Sequence, residues 1–233
     1  MRNVLFLMMS CLLPGTAHAQ QTDWEAVMKN GEAAWDWQPG DLIFRNGLDD
    51  FDEMIRLAEG GEWASVGIMR AASGDPRVVF VDRDEGVTER MLYEYVEGLD
   101  PQDYAVYRIE ALPSPVAGSQ MQMGPIASYA LLTAYGHGHD SALIPGNNLW
   151  YNAELPFDAA GSIGITLGLP LLLRDLAAQH PPLRDALLEN RRAYRFCEGP
   201  VPVDECWETM GSMSIVTPGT LIKSGQLRKV WPQ

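Results

Sequence analysis

The first half of the chain contains short runs of alternating apolar and polar residues, which are typical of strands. After the turn signal Pro39-Gly40, residues 41–45 alternate and predict a strand. Residues 64–70 and 78–82 predict two paired strands around a turn at 73–76, and residues 104–109 predict another strand.

Amphipathic stretches predict the helices. Residues 48–59 have an apolar face at helical spacing, begin beside two candidate cap residues and end at a glycine pair. The face comprises Phe51, Met54, Ile55 and Ala58, the cap is Asp49 or Asp50, and the stop is Gly60-Gly61. Further helices are predicted at 23–32, 91–97, 125–135, from about 152 to 161 or 164, 169–178 and 183–194, and strands at 215–216 and 227–231. Without an internal repeat or a low-complexity linker, the pattern predicts one α+β domain.

Residues 1–19 have the features of a secretory signal peptide. Arg2 precedes an apolar run over 4–13, and Ala17-His18-Ala19 forms a small-x-small cleavage site. The apolar run is shorter than the roughly 20 residues that span a bilayer. We therefore expect cleavage near Ala19, a single domain over residues 20–233, and export to the periplasm or the medium without stable membrane insertion.

The chain is acidic, with a net charge of −14 that becomes −15 once Arg2 is removed. An acidic surface repels phosphate backbones, so we expect no nucleic-acid binding. It also disfavours anionic lipid surfaces, which recruit basic segments. A basic protein partner remains compatible with this charge.

Cys197 and Cys206 are the cysteines that remain after the predicted cleavage. Export places them in an oxidising compartment, so a disulfide between them is predicted. A loop this short contributes about 2–3 kcal/mol in the chain-entropy model. The alternative is a reactive thiol, which the acidic neighbours Glu198, Asp204 and Glu205 disfavour because they oppose formation of a thiolate.

Two separated segments have the character of a hydrolase motif. The first runs from Gln38 to Phe44 as QPGDLIF and is followed by SVGI at 65–68, and the second is WYNAEL at 150–155. They resemble the YiiX/YebB-like branch of the NlpC-type, permuted papain-fold cysteine hydrolases, whose segments run approximately QPGDIIF, H-x-G-I/M and Y-C-S-E-L/V. In that family the cysteine is the nucleophile and the histidine is its base.

Further matches extend the resemblance over nearly the whole chain after the signal peptide. They are Gly86-Val87 with Leu92, Tyr104 to Arg108, Tyr135 to Asp140, and Val216-Thr217-Pro218 with Gln226-Leu227. The resemblance implies a permuted papain-like fold in which a small antiparallel sheet packs against helices. It also implies ligands that contain amide or ester bonds, in cell-wall peptides or lipids.

The resemblance places Asn152 at the nucleophile position, Ser65 at the base position and Asp82 at the third, orienting position. A side-chain amide has no ionisable nucleophile near neutral pH, and a hydroxyl does not titrate where a general base must. We therefore expect a pseudoenzyme that has lost the family's reaction. Asn152 is expected to act as the N-cap of the following helix, in which Pro156 is expected to cause a local distortion.

A retained cleft would be lined by residues next to these positions. The candidates are Trp63, Ser65, Asp82, His139, Trp150, Tyr151, Asn152 and Glu154. The two tryptophans either pack in the core or form a wall of the cleft. His137, His139 and Asp140 suggest a metal site, but their spacing is short and no further pair of ligands accompanies them, so we expect neither a metal nor a cofactor.

Three functions compete at this point. The first is a pseudoenzyme that binds a cell-wall peptide, a lipid or a protein in the retained cleft. The second is an active peptidase, amidase or acyl hydrolase that uses another nucleophile. The third is an interaction protein that docks a basic partner on its acidic surface.

Overall fold

The computed structural model describes residues 35–72, 76–100, 102–113 and 123–232. The predicted signal peptide, the helix predicted over 23–32 and most of the turn predicted at 73–76 lie outside these ranges. No helix in the described ranges is both long and apolar enough to cross a membrane. The described residues form an α+β structure, as the sequence predicts.

A six-stranded antiparallel sheet organises the structure. Its strands are β1 (Leu42–Arg45), β2 (Ser65–Arg70), β3 (Arg77–Asp82), β4 (Gly86–Met91), β5 (Tyr104–Ile109) and β8 (Leu227–Trp231). They lie in the order β4-β3-β2-β1-β5-β8. A second sheet has two short strands, β6 (Leu171–Leu172) and β7 (Ser214–Ile215). The predicted strands over 41–45, 64–70, 78–82, 104–109, 215–216 and 227–231 are confirmed within one residue at most ends.

The side chains of β1 alternate between the two faces of the sheet, and both faces are buried. Leu42 and Phe44 belong to a large apolar cluster that includes most of the helices. Ile43 belongs to a smaller cluster on the other side, with Phe80 and Tyr95. The period-2 pattern of the sequence therefore becomes a central strand covered on both sides.

The helices and short helical turns are interspersed with the strands along the chain. They are α1 (Asp50–Glu59), α2 (Leu92–Tyr95), α3 (Gly124–Tyr129, continued by a π-helical turn at Ala130–Ala134), α4 (Glu154–Gly161), α5 (Leu173–Gln179), α6 (Pro181–Glu189), α7 (Val203–Gly211) and α8 (Pro218–Ile222), with 3₁₀ turns at Arg191–Ala193 and Arg195–Cys197. The sequence prediction missed α7, α8 and the strands β4 and β6. Strand β6 falls within the helix predicted over 169–178, and the helix predicted over 183–194 ends at Glu189.

Helix α1 begins and ends where the sequence predicts. The Asp49 carboxylate accepts hydrogen bonds from the backbone N–H groups of Phe51 (2.7 Å) and Asp52 (3.2 Å). Gly60 ends the helix in the left-handed conformation, with φ of 64°. Phe51, Ile55 and Ala58 are buried as the helical spacing indicates, and Asp52 is buried beside them.

Helix α4 begins later than the sequence predicts, and the expectation that Asn152 caps it is wrong. Ala153 occupies the N-cap position and makes no side-chain cap hydrogen bond. Pro156 consequently falls in the first turn, where the backbone N–H groups have no helical acceptors. The helix runs without interruption to Gly161, so the expected distortion at Pro156 is absent.

Cys197 and Cys206 form the predicted disulfide, with their Cα atoms 5.2 Å apart. Both cysteines are buried, and the bond joins the second 3₁₀ turn to α7. The described part of the chain therefore contains no free thiol.

Candidate functional site

Ser65 and Asn152 come together at one buried carboxylate. The hydroxyl of Ser65, at the start of β2, donates to Oδ2 of Asp52 at 2.6 Å. The side-chain Nδ2 of Asn152, just before α4, donates to the same oxygen. Ser65 is 0% exposed, and Asp52 and Asn152 are each 3% exposed. The two positions that the family resemblance places together are thus linked through a third residue, on α1.

The surroundings of Asp52 oppose its ionisation. Burial raises its pKa from 3.8 to about 7, although the hydrogen bonds from Ser65 and Asn152 lower it, and the nearby charge of Asp49 adds to the increase. No ion pair with Asp52 is present among the described residues, so this buried carboxyl has two neutral donors and no cationic partner. Near neutral pH it is present in both its charged and its neutral form.

Asp52, the central residue of this group, was not singled out from the sequence. It lies between the predicted face residues Phe51 and Ile55, and it shares a helical face with Ile55 and Glu59 because 52, 55 and 59 follow the i, i+3, i+7 spacing. The Glu59 side chain is also buried, and its carboxylate accepts from the backbone of Gly219. Acidic residues on the apolar side of an amphipathic helix were the available signal.

This arrangement differs from the pair of groups on which a papain-type reaction depends. A papain-type reaction requires a thiolate and an imidazole within hydrogen-bond reach. Here an amide and an alcohol hold a carboxylate, and Oδ1 of Asn152 is buried without a hydrogen-bond partner. Among the described residues no serine or cysteine side chain is hydrogen-bonded to a histidine, since His137 contacts the backbone oxygen of Asn148.

Asp82 does not join the group around Asp52. Its Oδ1 accepts from the backbone N–H groups of Asp84 (2.9 Å) and Glu85 (3.0 Å), which fixes the turn between β3 and β4. Its Oδ2 lies 4.0 Å from Arg90. Asp82 therefore stabilises the turn, and the carboxylate that meets Ser65 belongs to α1.

The aromatic candidates lie in the core. Trp63 is 4% exposed and Trp150 is 6% exposed. The indole Nε1 of Trp150 donates to Asp158 at 3.2 Å, and the Tyr151 hydroxyl accepts from the backbone of Val216 at 3.0 Å. Of the two interpretations left open for the tryptophans, the structure favours packing in the core.

Glu154 is a second buried carboxyl close to Asn152 in the chain. It is 5% exposed, and its Oε2 has no hydrogen-bond partner. Burial, together with the nearby charges of Asp158 and Asp140, raises its pKa from 4.5 to about 8. Two carboxyls with raised pKa values thus accompany Asn152, one before it in the chain and one after it.

An open cleft of about 490 Å³ lies beside this buried group. Its apolar lining comes from Phe51 and Met54 of α1 and Ala186 of α6. Phe51 is the chain neighbour of Asp52, which does not itself line the cleft. Neither Ser65 nor Asn152 lines it. The cleft therefore does not pass between Ser65 and Asn152.

Polar groups form the rest of the cleft lining. Arg83 lies beside the turn that Asp82 fixes, and it pairs with Asp49 at 3.4 Å. Asp50 and Glu189 contribute carboxylates from α1 and α6, while His139, Ser141 and Asn190 complete the set. Of the eight cleft residues predicted from the sequence, His139 is the one that lines this cleft.

The residues suggested for a metal do not combine into a metal site. His137 is exposed, and Asp140 is buried with its carboxylate accepting from the backbone of Ala142 and Ile144 and from Asn147. Burial lowers the pKa of His139, which favours a neutral imidazole. Across the described residues, no group of three or more His, Cys, Asp or Glu side chains is placed to hold a metal ion.

Comparison with known proteins identifies the fold. No protein-family model matches the chain, and no curated protein matches it. Among solved structures, the metalloprotein YiiX from Escherichia coli O157:H7 matches with a TM-score of 0.63 and 21% identity over 85% of this chain and 100% of the YiiX chain. At this identity the comparison establishes the fold and leaves the activity open. The chain therefore has a YiiX-like fold.

Proposed function

We propose that this protein is an exported, non-catalytic member of the YiiX/YebB-like group of permuted papain-fold hydrolases, and that it binds a ligand in the cleft beside the former active site. The signal-peptide features of residues 1–19 support export. The sequence motifs and the YiiX-like fold support the group. The ligand classes that the resemblance suggests are cell-wall peptides and lipids.

One observation carries the non-catalytic part of the proposal. Ser65 and Asn152 both donate to Oδ2 of Asp52, and all three side chains are buried. A nucleophile and its base act as one unit, and replacing both leaves no partial machinery for the original reaction. Burial also removes the space that a scissile bond would need next to these residues.

The cleft supports the binding part of the proposal. Its volume of about 490 Å³ is within the range of about 300–1,000 Å³ that is usual for ligand sites. It combines three apolar residues with six polar or charged ones, so a ligand finds both a surface to pack on and groups that orient it.

A variant inside the cleft and a matched control outside it test this function. The purified protein is incubated with an enzymatic digest of bacterial cell wall and, separately, with a phospholipid extract, and complexes are detected by native mass spectrometry. Ala186→Trp fills the cleft from α6, whereas Ala178→Trp adds the same side chain to an exposed position of α5. We expect wild type and A178W to retain an intact ligand and A186W to lose it.

Two results contradict the proposal. Hydrolysed fragments that are produced by wild type and are absent with Asn152→Ala would show a reaction at the former nucleophile position. Equal retention by A186W and A178W would place the ligand outside the cleft, which supports docking on another surface of this acidic chain.

A further inference from the structure

Two carboxylates of the cleft lack partners. Asp50, in the first turn of α1, and Glu189, at the end of α6, both line the cleft and are exposed. Neither side chain has an ion pair or a hydrogen bond among the described residues. Their negative charges are therefore available to a ligand.

The cationic side chain of the cleft lining already has an acidic partner. Arg83 is the cation of the lining, and it pairs with Asp49 at 3.4 Å. His139 adds no charge near neutral pH, because burial lowers its pKa. The uncompensated charge of the cleft is negative, in agreement with the net charge of −14 of the chain.

An apolar surface accompanies these carboxylates. Phe51 and Met54 follow Asp50 on α1, and Ala186 precedes Glu189 by three residues on α6, so each helix presents an apolar and an acidic group to the same space. A ligand that satisfies both needs an aliphatic chain with a cation at its end. Lysine and arginine side chains have this construction, since their long apolar stems carry a charged head.

We infer that the cleft binds a basic side chain of a peptide, with its aliphatic stem against Phe51 and Met54 and its cationic head facing Asp50 and Glu189. This inference rests on the proposed function and names the chemical class of its ligand. A lipid with an anionic headgroup would meet two unpaired carboxylates and is disfavoured. A polybasic peptide gains further from the overall negative field.

Three blocked tripeptides, acetyl-Gly-X-Gly-amide with X as lysine, norleucine or glutamate, test the inference. Norleucine keeps an unbranched aliphatic chain and removes the cation. Binding is followed on the full chain by NMR of ¹³C-methyl-labelled methionines, with the Met54 signal assigned by Met54→Leu. We expect the lysine peptide to shift the Met54 signal at the lowest concentration and the glutamate peptide at the highest. Raising the salt concentration to about 1 M, where the Debye length is about 3 Å, should remove the lysine advantage.

Variants that neutralise one carboxylate at a time test whether Asp50 and Glu189 contact the cation. Asp50→Asn and Glu189→Gln should each weaken the lysine peptide about threefold, the usual scale for one exposed ion pair, and leave the norleucine peptide unchanged. Glu208→Gln removes an exposed carboxylate of α7 outside the cleft and should change neither.

Equal affinities for the three peptides, or the absence of a Met54 shift with any of them, would overturn the inference. The proposed function is judged separately by ligand retention in A178W and A186W. A protein that retains ligands in its cleft without preferring lysine keeps that function and loses this ligand class.

Discussion

Ser65 and Asn152 donate hydrogen bonds to the same oxygen of Asp52, although Asn152 lies 100 residues after Asp52 in the chain. The first turn of α1, the start of β2 and the segment before α4 therefore meet at one carboxylate. In a papain-type enzyme the strand and helix positions would face each other as base and nucleophile. Here they are joined through an acceptor that needs neither of them to ionise, so the contact links three separate elements of the fold.

Asp52→Ala should destabilise the protein strongly. The substitution leaves the Ser65 hydroxyl and the Asn152 amide buried without their acceptor, and a stranded buried donor costs about 1–3 kcal/mol. We expect the free energy of unfolding to fall by about 3 kcal/mol, measured by urea denaturation at pH 6. Asp50→Ala, next to it on the exposed side of α1, serves as the control and should change stability far less. Similar losses in the two variants would argue against the bridging role of Asp52.

Asp52→Asn should change the pH dependence of stability. The carboxyl has its pKa raised from 3.8 to about 7 on folding, so the folded state binds the proton more tightly than the unfolded state. The stability that this group contributes is complete below pH 3.8 and is lost as the pH rises to about 7. Wild type should therefore lose stability relative to D52N across this interval, by at most about 1.4 kcal/mol per pH unit.

The comparison is made by denaturant unfolding of both proteins at several pH values between 4 and 8. The difference between them isolates Asp52, because the other buried carboxyls titrate in both proteins. For Glu208→Gln, an exposed substitution, the free energy of unfolding should depend on pH in the same way as for wild type. A constant difference between wild type and D52N over the whole interval would show that Asp52 ionises without hindrance.

Short-range sequence signals were sufficient to predict the elements whose structure depends on residues that are close together in the chain. The Asp49 cap, the Gly60 stop and the buried face of α1 follow from short-range hydrogen bonds and helical spacing. Strands β2 and β3 pair as predicted, in the register Ile68↔Val79. These elements depend on residues that are close together in the sequence.

Contacts between distant residues explain the errors. Asn152 was expected to cap α4, but its side-chain nitrogen donates to the Asp52 carboxylate 100 residues away, and its Oδ1, the atom that a cap would use, has no hydrogen-bond partner. Strand β4 was missed because Thr88, Glu89 and Arg90 are polar, and Glu89 is held by ion pairs to Arg70 of β2 and Arg77 of β3 that the sequence alone does not pair. The Asp52 carboxylate also meets partners that are distant in the chain, Ser65 and Asn152, so the sequence alone could not assign them.

Glu154→Gln should stabilise the protein at alkaline pH. Burial raises the Glu154 pKa from 4.5 to about 8, so the stability that this carboxyl contributes is complete below pH 4.5 and is lost as the pH rises to about 8. Glutamine keeps the shape and stays neutral. We expect equal melting temperatures at pH 5 and a melting temperature several degrees higher for the variant at pH 8.5, since 1 kcal/mol corresponds to about 3 °C for a chain of this size. Asp175→Asn, an exposed change on α5, should have no such effect, and a variant with no gain at pH 8.5 would place Glu154 in a hydrated environment.

Asn152→Cys places a thiol at the position that the family resemblance assigns to the nucleophile. Its labelling rate measures how accessible that position is to a reagent. The residue is 3% exposed and lies beside the Asp52 carboxylate, and both burial and a neighbouring negative charge disfavour the reactive thiolate. We expect iodoacetamide to modify this cysteine at least about tenfold more slowly than a cysteine at Ser162, an exposed position at the end of α4, with labelling followed by intact-protein mass spectrometry.

The paired variant Asn152→Cys with Ser65→His adds the family's base to the same site. An imidazole has to fit where a fully buried serine stands, and overpacking of this kind typically costs about 1–3 kcal/mol. The double variant should therefore unfold at a lower temperature than Asn152→Cys alone and should not gain labelling rate over it while folded. A fast-reacting thiol in the double variant would instead show that the frame still admits both the imidazole and the reagent.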